Sequence, residues 1–236
     1  MNDLPSYISF TFATCVIATF GFIYYAIHQA GGSKSRVVLI STSVLVIWIA
    51  LVSLITTQGF FRDYEVFPPR LMVGVALMAL TIITLFIIPG TRNFLAQMPI
   101  STLTYIHIIR VPVEIVLWWL FVFGTVDVAM TFKGYNYDIL SGISAPFAGL
   151  FFVGLKSKNY LSAIIWNIIT LGLLINIVRT AILATPYFFE HSGLEQQNTA
   201  VFYFPFILLP LFIVPAVFFS HLVSLYQLLF VKKMDT

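Results

Sequence analysis

The sequence predicts an all-α protein, a polytopic transmembrane helical bundle of seven helices with its N-terminus outside and its C-terminus cytoplasmic. Three observations lead there. The chain is 60% hydrophobic and only 9% charged over 236 residues, against about 25% charged in an ordinary soluble domain. A soluble fold of this length has no interior large enough for so much apolar surface, whereas a bilayer has no need to hide it. Apolar runs of span length recur along the whole chain, and the basic residues fall unevenly among the connections between them. No hydrophilic stretch leaves room for a soluble domain, so residues 1–236 read as one transmembrane domain.

The expected spans are residues 7–28, 37–57, 71–89, 101–124, 137–155, 160–184 and 201–230. Before the first stand Met1-Asn2-Asp3-Leu4-Pro5, an acid with no base; that is not the basic start of a cleaved signal peptide, so the first run is expected to stay as a helix. Gly31-Gly32-Ser33, Pro68-Pro69, Pro89-Gly90 and Lys156-Ser157-Lys158-Asn159 punctuate the connections. An outside N-terminus puts Lys34, Arg36, Arg92, Lys156, Lys158, Lys232 and Lys233 in the cytoplasm and only Arg62, Arg70 and Lys133 in outer loops, the bias that positive-inside insertion demands.

The fourth span is the most informative. His107, Arg110 and Glu114 fall within roughly 60° of one another on a helix. Ionisable groups at membrane depth are costly unless paired or facing water, which makes one shared face a functional hypothesis. Arg110 and Glu114 are spaced for an ion pair, and Pro112 removes the hydrogen bond to the carbonyl of Ile108, predicting a kink between the charges. The fifth span opens with Asn136 as an N-cap and Asp138 in the first turn. Ser141, Ala145 and Gly149 then form a small-residue ridge suited to close helix contact. On the sixth span Asn176 and Arg179 share a face. Arg179 either reaches the outer headgroups or faces Glu114 or Asp138 across the bundle. Asn167 and Thr170, on another face, are expected to serve helix packing. Pro205, Pro210 and Pro215 predict an interrupted outer half of the seventh span, with Ser220, His221 and Ser224 further in.

Several classes are excluded. Every lysine falls in a loop or the tail, so the Schiff base of a retinal protein has no residue to form on. A net charge of +3 without basic–aromatic clusters gives nucleic acid nothing to bind. Cys15 is the only cysteine, so disulfides and cysteine metal clusters are not expected. His-Glu-x-x-His, Gly-x-Ser-x-Gly and Gly-x-Gly-x-x-Gly are absent from the sequence, which leans against an enzyme.

The leading expectation is an outward-facing polar pocket that binds or transports a small polar or anionic molecule, built from His107, Arg110, Glu114, Asn136, Asp138, Asn176 and Arg179, with no cofactor or metal. One alternative is a redox protein holding haem b or a metal on His28, His107 and His221. Others are a membrane-embedded enzyme and a subunit of a larger membrane complex. The expected partners are the lipid bilayer, the small ligand, and further copies or other membrane subunits. Residues 107–114, 135–146 and 166–178 resemble a family of uncharacterised multi-pass bacterial inner-membrane proteins. The resemblance implies that membrane as the location and brings no activity.

Overall fold

The computed structural model describes residues 4–32, 35–154 and 159–231, and among them all regular structure is helical. Six helices are long and apolar enough to cross a membrane: α1 (Ser6–Gly31), α2 (Ser35–Thr57), α3 (Arg70–Ile87), α5 (Ile100–Val122), α7 (Tyr160–Leu183) and α8 (Leu209–Val231). Two are shorter, α4 (Pro89–Leu95) and α6 (Ile139–Phe151). This is the helical architecture of a membrane-embedded protein.

Two of the expected spans are shorter in the structure. The fifth, 137–155, is reduced to the 13 residues of α6, because residues 123–138 run as turns and a 3-10 segment, Val128–Met130, before the helix begins. The last, 201–230, starts only at Leu209: Pro205 and Pro210 each lack the backbone donor a helix needs, and the chain before it is a 3-10 segment, Ala200–Phe202, followed by turns. α8 opens with a π turn, Leu209–Ile213. Pro215 cannot donate to the carbonyl of Leu211 four residues back, and the Trp48 indole of α2 donates to that carbonyl instead at 2.8 Å. Irregular backbone in the middle of a bundle survives where neighbours supply the missing partner.

α5 and α8 are the innermost helices, with 50% and 56% of their apolar windows buried, whereas α2 and α3 have 6% and 11%. α6 runs antiparallel to α5 at close range. A Cβ on Gly142 would stand 2.7 Å from Val111 Cγ2 and 2.9 Å from its backbone nitrogen, and one on Gly149 would stand 2.5 Å from the Tyr105 ring. Ser141, Ala145 and Gly149 are all buried along this seam.

The connections 58–69, 123–138 and 184–208 gather at one end of the bundle, hereafter the acidic end. Tyr64 meets both Tyr187 and Phe202 edge-on. Asp127 binds the other two connections together: its Oδ1 accepts from the backbone of Ala129 at 2.7 Å, and its Oδ2 from Glu195 and Gln196 at 2.8 Å each. At the opposite end the Gln227 amide donates to the carbonyls of Leu95 and Met98 at 2.7 and 2.8 Å. Of the basic residues that set the expected orientation, Lys34, Lys156, Lys158, Lys232 and Lys233 lie outside the described residues.

Candidate functional site

The polar centre is assembled on α5 where its winding changes. Residues Ile106–Ile109 form a 3-10 turn, and the α-helix resumes at Arg110, in the turn whose carbonyl Pro112 leaves without its usual donor. From here the buried Arg110 guanidinium reaches three partners. Its Nη1 lies 3.0 Å from Asp138 Oδ1 and donates to the backbone carbonyl of Thr170 at 3.1 Å. Its Nη2 lies 3.1 Å from His221 Nε2. A guanidinium has no acceptor, so His221 Nε2 must accept, and its proton sits on Nδ1. That proton points to Asn167 Oδ1 at 2.9 Å, and the Asn167 amide in turn donates to the Ala163 carbonyl. The chain Arg110–His221–Asn167 therefore has one consistent set of donors with a neutral imidazole.

Glu114 stands one turn further along α5, about 12 Å below Val122 at 1.5 Å per residue. The irregular stretch 123–138 descends to meet it. Asn136 donates to Glu114 Oε1 at 2.6 Å and to the Met130 carbonyl at 2.9 Å, while its own oxygen accepts from the Asp138 backbone at 3.0 Å. Asn136 thus fixes one carboxylate oxygen of Glu114 and positions Asp138 beside Arg110. The second oxygen, Oε2, is buried without a hydrogen-bond partner.

Glu114 is also part of the lining of a cavity of about 110 Å³ between α3, α5, α7 and α8. Its walls are mainly apolar, with Met72 and Val75 from α3, Ile177 and Ala181 from α7, and Pro210 and Val214 from α8. The polar lining is Glu114, Asp138, Thr185 and Asn198. Asn198 is 1% exposed, yet neither its amide nitrogen nor its oxygen has a partner. Both acidic residues are part of the lining, whereas Arg110 is not, its guanidinium being engaged by Asp138, Thr170 and His221.

Five of the seven residues expected from the sequence come together here: His107, Arg110, Glu114, Asn136 and Asp138. Arg110 pairs with Asp138 rather than with Glu114, because the descending connection delivers a carboxylate 3.0 Å from its guanidinium. Asn176 is at the margin, donating to the Tyr135 carbonyl at 3.0 Å. Arg179 is exposed, about 160° around α7 from the buried Ile177, and takes no part in the cluster. An anion held between Arg110 and Arg179 is therefore not what this arrangement supports. The face of α7 that builds the site is the one carrying Asn167 and Thr170, half a turn from Asn176.

The three histidines expected on the inner half of the bundle are placed differently. His28 is exposed beside Tyr24. His107 and His221 stack face to face, ring centroids 4.0 Å apart and planes 26° apart, so their in-plane lone pairs run side by side and leave no slot for a macrocycle between them. His107 is fully buried against Trp166 as well, and neither ring nitrogen has a partner. Asn198 belongs to the site too, and Asp127 to the connections that cover it. Both sit in acidic-end connections where the sequence offers them as ordinary loop residues. At that end burial raises the Tyr187 hydroxyl above its ordinary pKa, as it does the Tyr64 hydroxyl, so both stay protonated donors at neutral pH. Comparison of the chain with protein-family models, with curated proteins and with solved structures gives no match.

Proposed function

We propose that this protein is a membrane receptor or carrier whose cavity between α3, α5, α7 and α8 binds a small, largely apolar molecule oriented by a polar group. One observation carries the reading: a mainly apolar cavity is lined by Glu114 and Asn198, whose Oε2 and two amide atoms are buried and unpaired. Leaving such groups unpaired costs about 1–3 kcal/mol each, and a bound polar group relieves that cost. At about 110 Å³ the cavity is smaller than the apolar cavity of about 150 Å³ that accommodates benzene, which restricts it to a compact occupant.

In this reading the acidic end faces outside and the chain crosses the membrane seven times. α6 supplies about 20 Å of the fifth crossing, and the descending stretch before it supplies the rest of a hydrocarbon layer about 30 Å thick. The irregular backbone is tolerated there because Asn136 and Asp127 pair it with protein. The resemblance of residues 107–114, 135–146 and 166–178 supports a bacterial inner membrane as the setting.

The test is binding of benzyl alcohol to the purified chain in phosphatidylcholine nanodiscs, followed by calorimetry against empty discs. The wild type is expected to bind saturably. Ala181→Phe, which places a ring in the cavity, is expected to lose that binding while unfolding at the same temperature. Equal binding by both proteins, or by neither, overturns the reading.

A further inference from the structure

We infer that the cavity takes a small organic ammonium, and that Glu114 exchanges its proton for that cation. This rests on the proposed cavity and adds the charge of its occupant. The buried charges do not cancel. Arg110 is matched by Asp138 at 3.0 Å, while no basic side chain among the described residues comes within ion-pair distance of Glu114.

The other groups around Glu114 do not restore the balance. Its own helix brings Arg110 and His107; α8 brings His221, whose Nε2 already accepts from Arg110. The α5–α6 connection brings Asp138 and, further out, Lys133, whose ammonium lies 5.0 Å from the centroid of the Trp118 ring. Among the described residues α1, α3 and α7 bring it no charged side chain: Arg70 pairs with Asp63, and Arg179 and His28 are exposed. A lone ionised carboxylate at this depth is strongly disfavoured, so the empty site holds a proton.

Geometry places that proton. Glu114 Oε1 already accepts from Asn136, which leaves the unpartnered Oε2 to carry it. When an alkyl- or arylammonium enters, the Oε2–H bond breaks and the proton leaves to water. The carboxylate then accepts from the ammonium, and no covalent bond forms. The Asn198 oxygen stands free in the same wall as a second acceptor, and the apolar walls receive the hydrocarbon part.

The experiment compares benzylammonium, benzyl alcohol and benzoate on the full chain in zwitterionic nanodiscs. Calorimetry in buffers of different ionisation enthalpy counts protons. Benzylammonium is expected to bind at least tenfold more tightly than benzyl alcohol at pH 7.5, to release one proton, and to weaken about tenfold for each unit that the pH is lowered; benzoate is expected not to bind. In Glu114→Gln the proton release and the pH slope should vanish and benzylammonium should weaken at least tenfold, with an unchanged unfolding temperature as evidence of an intact fold. The wild-type proton count and pH slope decide the matter even where that variant fails to fold. Benzyl alcohol binding as tightly as benzylammonium with no proton released overturns the cation exchange and leaves the cavity reading standing. Tighter binding of benzoate also overturns the exchange. No binding by any of the three overturns both.

Discussion

Helices α2 and α8 are both apolar enough to span a membrane, yet 6% of one and 56% of the other is buried. α2 is the more apolar of the two and lies at the rim. α8, with Ser220, His221, Ser224 and Gln227 all buried, lies at the centre. In a soluble protein the more apolar helix goes inside. Here the solvent is hydrocarbon, so the rim is greasy and the centre carries the hydrogen bonds. A change on α2 alters contact with lipid, whereas a change in the centre leaves a polar group that has nowhere else to go.

Arg110 should show the largest difference. Arg110→Ala leaves Asp138 buried without its ion-pair partner and the Thr170 carbonyl and His221 Nε2 without their donor, a loss expected to cost about 3–5 kcal/mol. Ile47→Ala on α2, at a position 64% exposed, should stay within about 0.5 kcal/mol. Thermal unfolding of both variants in the same nanodiscs gives the contrast, with Arg110→Lys falling between them. Equal losses would mean that the centre is no more demanding than the rim.

The rim was easier to read from the sequence than the centre. Hydropathy locates α1, α2, α3 and α7 to within a few residues because nothing competes with the apolar run. α6 and α8 are shorter than their apolar runs because hydropathy does not register where Pro205, Pro210 or residues 123–138 leave the helical path. On α5 the spacing of His107, Arg110 and Glu114 marks the site, but the 3-10 turn shifts the angles, and Arg110 finds Asp138 from a distant stretch instead. On α7 the same periodic argument selects the wrong face. Asn176 and Arg179 look functional because they are polar and together, whereas Asn167 and Thr170 build the site through one amide and one backbone carbonyl. No side-chain pattern announces a carbonyl, and Asn198 sits unremarked beside Gln196, Gln197 and Thr199.

A buried carboxylate need not be a reactive one, as Asp127 shows beside Glu114. Both are 2% exposed. Asp127 accepts three backbone N–H groups and is satisfied, which makes it a structural tie across the acidic end. Asp127→Ala should cost about 2–3 kcal/mol, since hydrogen bonds to a charged group are worth more than neutral ones and water can reach some of the freed donors. Asp127→Asn should lose about half as much. Hydrogen exchange would locate the effect: the amides of Ala129, Glu195 and Gln196 should exchange at least tenfold faster, with those of α5 unchanged. Faster exchange throughout α5 would make Asp127 part of the centre rather than of its cover.

The smallest expected contrast uses two glycines, one on each kind of surface. At Gly142 an added Cβ meets Val111 Cγ2 at 2.7 Å, the Val111 nitrogen at 2.9 Å and the His107 carbonyl at 3.2 Å; at Gly172 it meets nothing within 4 Å. Two of the three contacts at Gly142 are backbone atoms of α5, which cannot swing aside as a side chain can. Gly142→Ala must therefore push α6 away from α5, at a cost of about 1–3 kcal/mol. Gly172→Ala on the exposed face of α7 should be neutral or gain up to about 1 kcal/mol in helix propensity. The two variants add the same methyl group to helices of similar character, so propensity cancels in the comparison and the packing remains. Because α6 carries Asp138 at its start, Gly142→Ala should also weaken benzyl alcohol binding, and Gly172→Ala should not. If both variants bind alike, the α5–α6 seam supports the fold without setting the geometry of the cavity.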